Sequence, residues 1–174
     1  MVFMKSILSS NEKAVFEIVF KEHDPDIKLL CYLLRGSLID KHGFIVQEEP
    51  DMRFVSKLKS TGLKKVSDSL FDLANSSRLD TSNFSRKYSE KIKACYKGFN
   101  FMLNVEVYVI FLLEEGPIAW YVHDSKNCSE CKSGGVCHKT LEQIVIERSL
   151  KFPEELIQKE IDEKANWVFN QLLK

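Results

Sequence analysis

Hydrophobic positions along the chain keep more than one period, and each change of period predicts a change of element. Ala14, Phe16, Ile18 and Phe20 alternate with the residues between them, the two-residue repeat of a strand, and Ser9-Ser10-Asn11 ahead of them is fit to turn a hairpin. Ser9 followed by Glu12 also fits a capping box that would open a helix instead. The alternation is taken as the stronger signal and predicts N-terminal strands. Asp24-Pro25-Asp26 reads as a helix start, with a capping side chain, proline at the first helical position and an acid in the first turn. Ile27, Leu30, Cys31 and Leu34 follow at helical spacing. This helix is expected to reach Arg35 and to be able to run to His42, with Gly43 as its stop. Phe44 to Val46 is a short strand candidate, and Glu48-Glu49-Pro50-Asp51 is a boundary. Residues 52–97 read as helical, with interruptions near Ser60–Leu63 and Asn75–Asp80. From Leu103 the two-residue period returns through Val105, Val107, Val109, Phe111 and Leu113. A turn at Glu114-Glu115-Gly116-Pro117 and a second strand, Ile118 to Val122, complete a β-hairpin. Two helices close the chain. One covers about 139–150, and the other starts near Pro153 with Ile157, Ile161, Ala165, Val168 and Leu172 on one face.

The segment from Leu70 to Lys87 carries the most information. Two short helices crossing at a tight turn need a small residue where the second helix approaches, and Ala74 provides it. An apolar plug in the turn follows five residues later at Leu79, and an inward apolar residue of the second helix five further on at Phe84. Asp80 or Thr81 can cap that second helix. Its outer face would carry Ser82, Asn83, Ser85, Arg86 and Lys87, short polar and cationic groups suited to base edges and phosphates. Arg78 precedes it in the turn. This pattern resembles the helix-turn-helix of winged-helix transcription regulators. The resemblance covers residues 70–87 directly and extends to 122 if the hairpin is the wing. It departs from the family where Arg78 stands at a turn position that favours glycine, and where Lys87 replaces an expected inward apolar residue that Tyr88 would have to supply. An ordinary corner between two helices is the competing reading.

Charge sharpens this picture. The 174 residues carry 25 Lys/Arg and 25 Asp/Glu, so the net charge is zero, but the distribution is uneven. Residues 1–50 have six basic against eight acidic groups, residues 51–100 eleven against five, and residues 101–174 eight against twelve. The net +6 middle third contains the helix-turn-helix segment, which favours a polyanion there. Lys91, Lys93 and Lys97 would serve phosphates. A merely solvated charged surface is the alternative.

The cysteines bring a second chemistry. Cys31 and Cys95 stand singly in apolar surroundings and read as core residues. Cys128, Cys131 and Cys137 fall within ten residues. The N-terminus has no secretory pattern, so the expected compartment is the reducing cytoplasm, where clustered thiols are metal ligands before they are disulfides. Cys128 and Cys131 can reach one ion from a tight turn, and Gly134-Gly135 lets the chain curl back to bring Cys137. His138 is the favoured fourth ligand, with His123 its competitor. The set points to a closed structural zinc site. An iron–sulfur cluster is the alternative cofactor, and free thiols the reading without one.

No Gly-rich phosphate loop and no serine elbow is present. Glu114-Glu115 and Glu154-Glu155 are explained by turn solubility and helix-dipole compensation. No enzyme is expected, and no apolar run approaches membrane-spanning length. The expected fold class is α+β: an N-terminal α/β subregion over 1–50, a winged-helix-like core with its hairpin over 51–123, and a metal-clipped loop with C-terminal helices over 124–174. The expected function is transcription regulation through double-stranded DNA, as a cytoplasmic homodimer joined by its C-terminal helices. The alternative is a zinc-stabilised interaction module, or a ligand-sensing module with its pocket between the N-terminal strands and the helices, that binds no nucleic acid.

Overall fold

A computed structural model describes residues 7–84, 93–122 and 128–174. Among them are five α-helices, a two-stranded and a three-stranded antiparallel sheet. The chain is therefore α+β, as its changes of period imply.

The N-terminal segment is helical, not stranded. Helix α1 spans Ser10–Lys21. Ser9 Oγ accepts from Glu12 N at 3.2 Å, and Glu12 Oε2 accepts from Ser9 N at 2.7 Å, so the capping box is closed. The buried positions are Val15, Phe16, Val19 and Phe20, a helical stripe, and the alternation of Phe16, Ile18 and Phe20 is coincidental to it. Glu12 is 3% exposed. Burial raises its carboxyl, but hydrogen bonds from Lys65 Nζ and from Ser9 outweigh that and hold it below the usual glutamate value.

Helix α2 is shorter than its periodicity implies. It spans Ile27–Leu33, and its cap is Asp26, whose Oδ1 accepts from Lys28 N and Leu29 N at 2.9 and 3.0 Å. Asp24 lies outside it, at φ 68°. Helix does not continue to His42, because Leu38–Ile39 (β1) pairs with Ile45–Val46 (β2). Asp40 closes that small hairpin by accepting from the amides of His42 and Phe44.

Helix α3, Met52–Ser76, is unbroken through Ser60–Leu63. Gly62 does not interrupt it: the helix packs there so closely on α1 that a Cβ at Gly62 would stand 2.4 Å from Cε2 of Phe16. Beyond the turn, residues 95–97 are not helical. Cys95–Asn100 is strand β3, paired with β4, Val105–Leu112, in the register Cys95↔Ile110 to Asn100↔Val105. Strand β5, Gly116–Tyr121, completes the order β3-β4-β5.

The sheet is covered on both faces. Val107, Val109, Phe111 and Leu113 face α1 and α3 in one core. Tyr108, Ile110 and Leu112 face α4, Gly134–Glu147, and α5, Ile161–Leu172, in a second. Burial from 107 to 113 is thus continuous, because a strand between two helical layers has no solvent face. Tyr108 stacks on Phe169 at 4.2 Å between centroids. Ile161, Ala165, Val168 and Leu172 form the buried face of α5, while Ile157 precedes the helix and is exposed. Within the chain this face already covers the sheet, so the surface assigned to a homodimer partner is occupied internally.

Candidate functional site

The turn after α3 builds the site region. Helix α3 ends in a Schellman motif: Arg78 N donates to Asn75 O at 2.9 Å and Leu79 N to Ala74 O at 3.0 Å. The geometry requires a left-handed residue after the cap, and Arg78 adopts φ 55° there. This is the position at which the helix-turn-helix pattern favours glycine. Ala74 is fully buried and Leu79 is 7% exposed, so the small residue and the plug both point inward. Phe84 packs partly buried beside them, with its ring 5.1 Å from Phe71 and 4.8 Å from Tyr96.

Asp80 caps the residues after the turn by accepting from Ser82 N at 2.9 Å, and Phe84 N donates to Thr81 O at 2.9 Å. The hydrogen bond from Ser82 holds the Asp80 carboxyl below its ordinary value. Ser82 and Asn83 are exposed, as is Arg78. Ser85, Arg86, Lys87 and Lys91 lie outside the described residues, and so does any second helix they would form. Lys93 Nζ donates to a neutral carbonyl, Gln171 O, at 3.0 Å and keeps its charge, while Lys97 is paired with Glu106 across the sheet at 2.6 Å.

Strand β3 is lashed to this turn. Leu79 and Asn100 form a bridge, Asp80 N donates to Phe99 O at 3.1 Å, and Asn100 Nδ2 donates to Ser77 O at 2.9 Å. The hairpin tied to the turn by these bonds is therefore β3–β4, with its tip at Phe101–Asn104, whereas the expected wing is β4–β5. Sequence reasoning misses this tip. The signal is present as three apolar residues bracketed by Asn100 and Asn104, but the pattern up to Lys97 reads as helix.

The thiols occupy the opposite layer. A short 3-10 turn, Cys128–Glu130, leads into α4. Cys131 N donates to Cys128 O at 3.3 Å and Gly134 N to Cys131 O at 3.0 Å. A Cβ at Gly134 would stand 3.0 Å from Cys128 O, so glycine permits this close curl. Cys128, Cys131 and Cys137 line one cavity of about 600 Å³, with Ile118, Trp120 and Tyr121 of β5 as its wall and Ile161 and Asp162 of α5 at its edge. His138 is exposed and is not part of that lining. His123 lies outside the described residues. Burial raises the Cys137 thiol, and the neighbouring Cys131 and Cys128 raise it further. Among the described residues no group of three or more His, Cys, Asp and Glu side chains is drawn together as metal ligands. Cys31 and Cys95 are buried core residues, and burial pushes the Cys95 thiol up to about 12, which leaves it inert.

Sequence reasoning also misses the one buried ion pair among the described residues. Arg148, 2% exposed, donates to Glu147 Oε2 at 3.0 Å and to Phe111 O at 2.6 Å, and its guanidinium lies 3.6 Å from the Phe20 ring centre. Burial lowers it to about 10, offset by Glu147. It joins α4, β4 and α1, which makes it a structural group. Among the described residues no helix is long and apolar enough to cross a membrane. No family model matches the chain, and neither the curated proteins nor the solved structures include a match to it.

Proposed function

We propose that the chain is a DNA-binding transcription regulator, with the segment from Arg78 onward as its reading surface and no catalytic step of its own. One observation carries the reading: the turn at 77–84 buries Ala74 and Leu79, turns Phe84 inward and exposes Arg78, Ser82 and Asn83, the inward and outward pattern that a helix-turn-helix requires. Arg78 adds to it. A non-glycine residue in the left-handed region is strained by about 1 kcal/mol or more, and in exchange this position offers an exposed guanidinium. A winged-helix arrangement would use β3–β4 as its wing. A homodimer, which would set two reading segments one duplex turn apart, would have to use a surface other than the buried face of α5.

Arg78→Gly separates this reading from a merely structural corner. Glycine relieves the left-handed strain, so thermal stability is expected to rise by about 1 kcal/mol. Duplex affinity is expected to fall, and the slope of log K against log salt to become shallower by about 1. A variant that melts higher yet binds duplex DNA as the wild type does would remove Arg78 from the interface. Absence of any salt-dependent duplex binding by the wild type would sink the reading.

The thiol cavity favours an accompanying zinc clip, in which Cys128, Cys131 and Cys137 would supply thiolates and His138 or His123 the remaining ligand; an iron–sulfur cluster is the alternative occupant. Such a clip would tie the turn at 128–130 to α4 and lower the cost of ordering it. Elemental analysis is expected to find about one equivalent of zinc, lost in Cys128→Ser, Cys131→Ser and Cys137→Ser and retained in Cys31→Ser and Cys95→Ser. Metal-free wild-type protein with an unchanged melting temperature would eliminate the clip.

A further inference from the structure

We propose that the tip of the β3–β4 hairpin is an apolar wedge that inserts between base pairs of the duplex; this rests on the DNA-binding reading above. Phe101, Met102 and Leu103 are 72%, 71% and 60% exposed. Three consecutive large apolar side chains in water are costly unless something covers them. They crown a four-residue turn, with Asn104 at φ 53°, at the end of an antiparallel pair whose last rung is Asn100↔Val105.

The tip is built to be stiff. Asn100 is 4% exposed, and its Oδ1 accepts from Met102 N at 3.0 Å and Leu103 N at 2.9 Å. Its Nδ2 is spent on Ser77 O. One buried amide therefore satisfies the turn's backbone and fastens it to the end of α3. Phe99 and Phe101 pack edge to face at 5.1 Å, which stiffens the tip further. A wedge held in this way loses little conformational freedom on insertion.

Charge narrows the occupant to a surface that carries phosphates. Arg78 Nη1 lies 2.7 Å from Met102 Sδ, and among the described residues Arg78 has no carboxylate partner. Among the described residues the base of the wedge thus carries a guanidinium with no carboxylate partner, near the exposed Ser82 and Asn83. Apolar side chains at the point and a cation at the root match a base step flanked by phosphates, the arrangement by which minor-groove wedges unstack and kink a duplex. A bilayer would also accept the apolar point, and its headgroup phosphates would meet the same cation; the duplex follows from the DNA-binding reading of the adjoining turn, and a lipid surface is an outcome of the test.

The test uses the full chain, a short duplex of random sequence labelled for end-to-end energy transfer, and 2-aminopurine placed within it to report unstacking. Wild-type protein is expected to bend the duplex by about 20–90° and to raise the 2-aminopurine signal. The triple variant Phe101→Ser, Met102→Ser, Leu103→Ser is expected to bind at least about tenfold more weakly, given the apolar area it no longer buries, and to leave the duplex straight. Its side chains are exposed, so its melting temperature should fall only slightly, through the lost Phe99–Phe101 and Arg78–Met102 contacts. Phe44→Ser and Ile146→Ser, each 70% exposed elsewhere on the molecule, should bind and bend as the wild type does. Wild-type binding without bending or unstacking overturns the wedge and leaves the DNA reading standing. So does a triple variant that binds and bends normally. No duplex binding by the wild type at low salt removes both, and sedimentation of the wild type but not the triple variant with phosphatidylserine vesicles would then assign the tip to a lipid surface.

Discussion

Arg148→Ala is expected to destabilise the chain by about 3–5 kcal/mol, the cost of breaking a buried ion pair from one side. Glu147 would keep hydrogen bonds from Leu113 N, at 3.1 Å to Oε2, and from Gln143 Nε2, at 2.9 Å to Oε1, but would lose the charge that balances it. Phe111 O would lose the donor at 2.6 Å, and the Phe20 ring the cation above it. A cavity would open where α1, β4 and α4 meet. Arg148→Met retains most of the volume, and combined with Glu147→Gln it removes both charges. That double variant should recover more than half of the loss in urea denaturation, because an apolar replacement of a buried pair is often close to neutral. Equal midpoints for Arg148→Ala and the wild type would mean that the guanidinium is not enclosed by the two helical layers and the sheet. Nε of Arg148 finds no partner among the described residues, so even the intact pair is incompletely satisfied, which favours the double variant.

Gly62→Val should cost about 3 kcal/mol, at the upper end of what overpacking a core incurs, although valine has the better helix propensity of the two. The sign is set by Phe16. A Cβ at Gly62 would stand 2.4, 3.2 and 3.3 Å from three atoms of its ring, and Phe16 is wholly buried. The ring packs at 5.6 Å against Phe20, so it has no room to swing away. Ser60→Val on the exposed side of the same helix should change stability by less than about 1 kcal/mol. Phe16→Leu should rescue Gly62→Val in a double-mutant cycle, with a coupling of about 1 kcal/mol or more. If the two substitutions prove additive, α1 and α3 do not meet at this point.

The same contact shows why some elements are readable from sequence and others are not. Local chemistry is legible where it closes on itself. The helix start near Asp24–Asp26, the turn before Gly116 and the inward sequence Ala74, Leu79, Phe84 each depend on residues within about one or two turns of each other, although the cap itself is Asp26 and not Asp24, and the capping box of Ser9 and Glu12 is outweighed by the alternation. The expectation of N-terminal strands fails because Phe16, Ile18 and Phe20 alternate by coincidence, while the helical stripe Val15, Phe16, Val19, Phe20 counts only once α3 lies against it. Gly62 looks like a break, yet its missing side chain is what allows that approach. Cys95 to Lys97 read as helix because they are too short a run to show an alternation, and β3 acquires its identity from pairing with β4.

For the candidate site the division is similar. Sequence alone determined that polar and cationic residues follow a small residue and an apolar plug, and that three thiols are close along the chain, because these are matters of spacing within a short segment. Only the tertiary structure decided that the β3–β4 tip lies beside the turn, that β5 walls the thiol cavity, that His138 stands outside that cavity, and that Arg148 is enclosed. Each of these depends on residues from different elements of the chain, held together by burial of the two faces of one sheet. Hydrophobic burial has no direction of its own, so the pairing register and the layer order settle which residues become neighbours, and no local pattern encodes them.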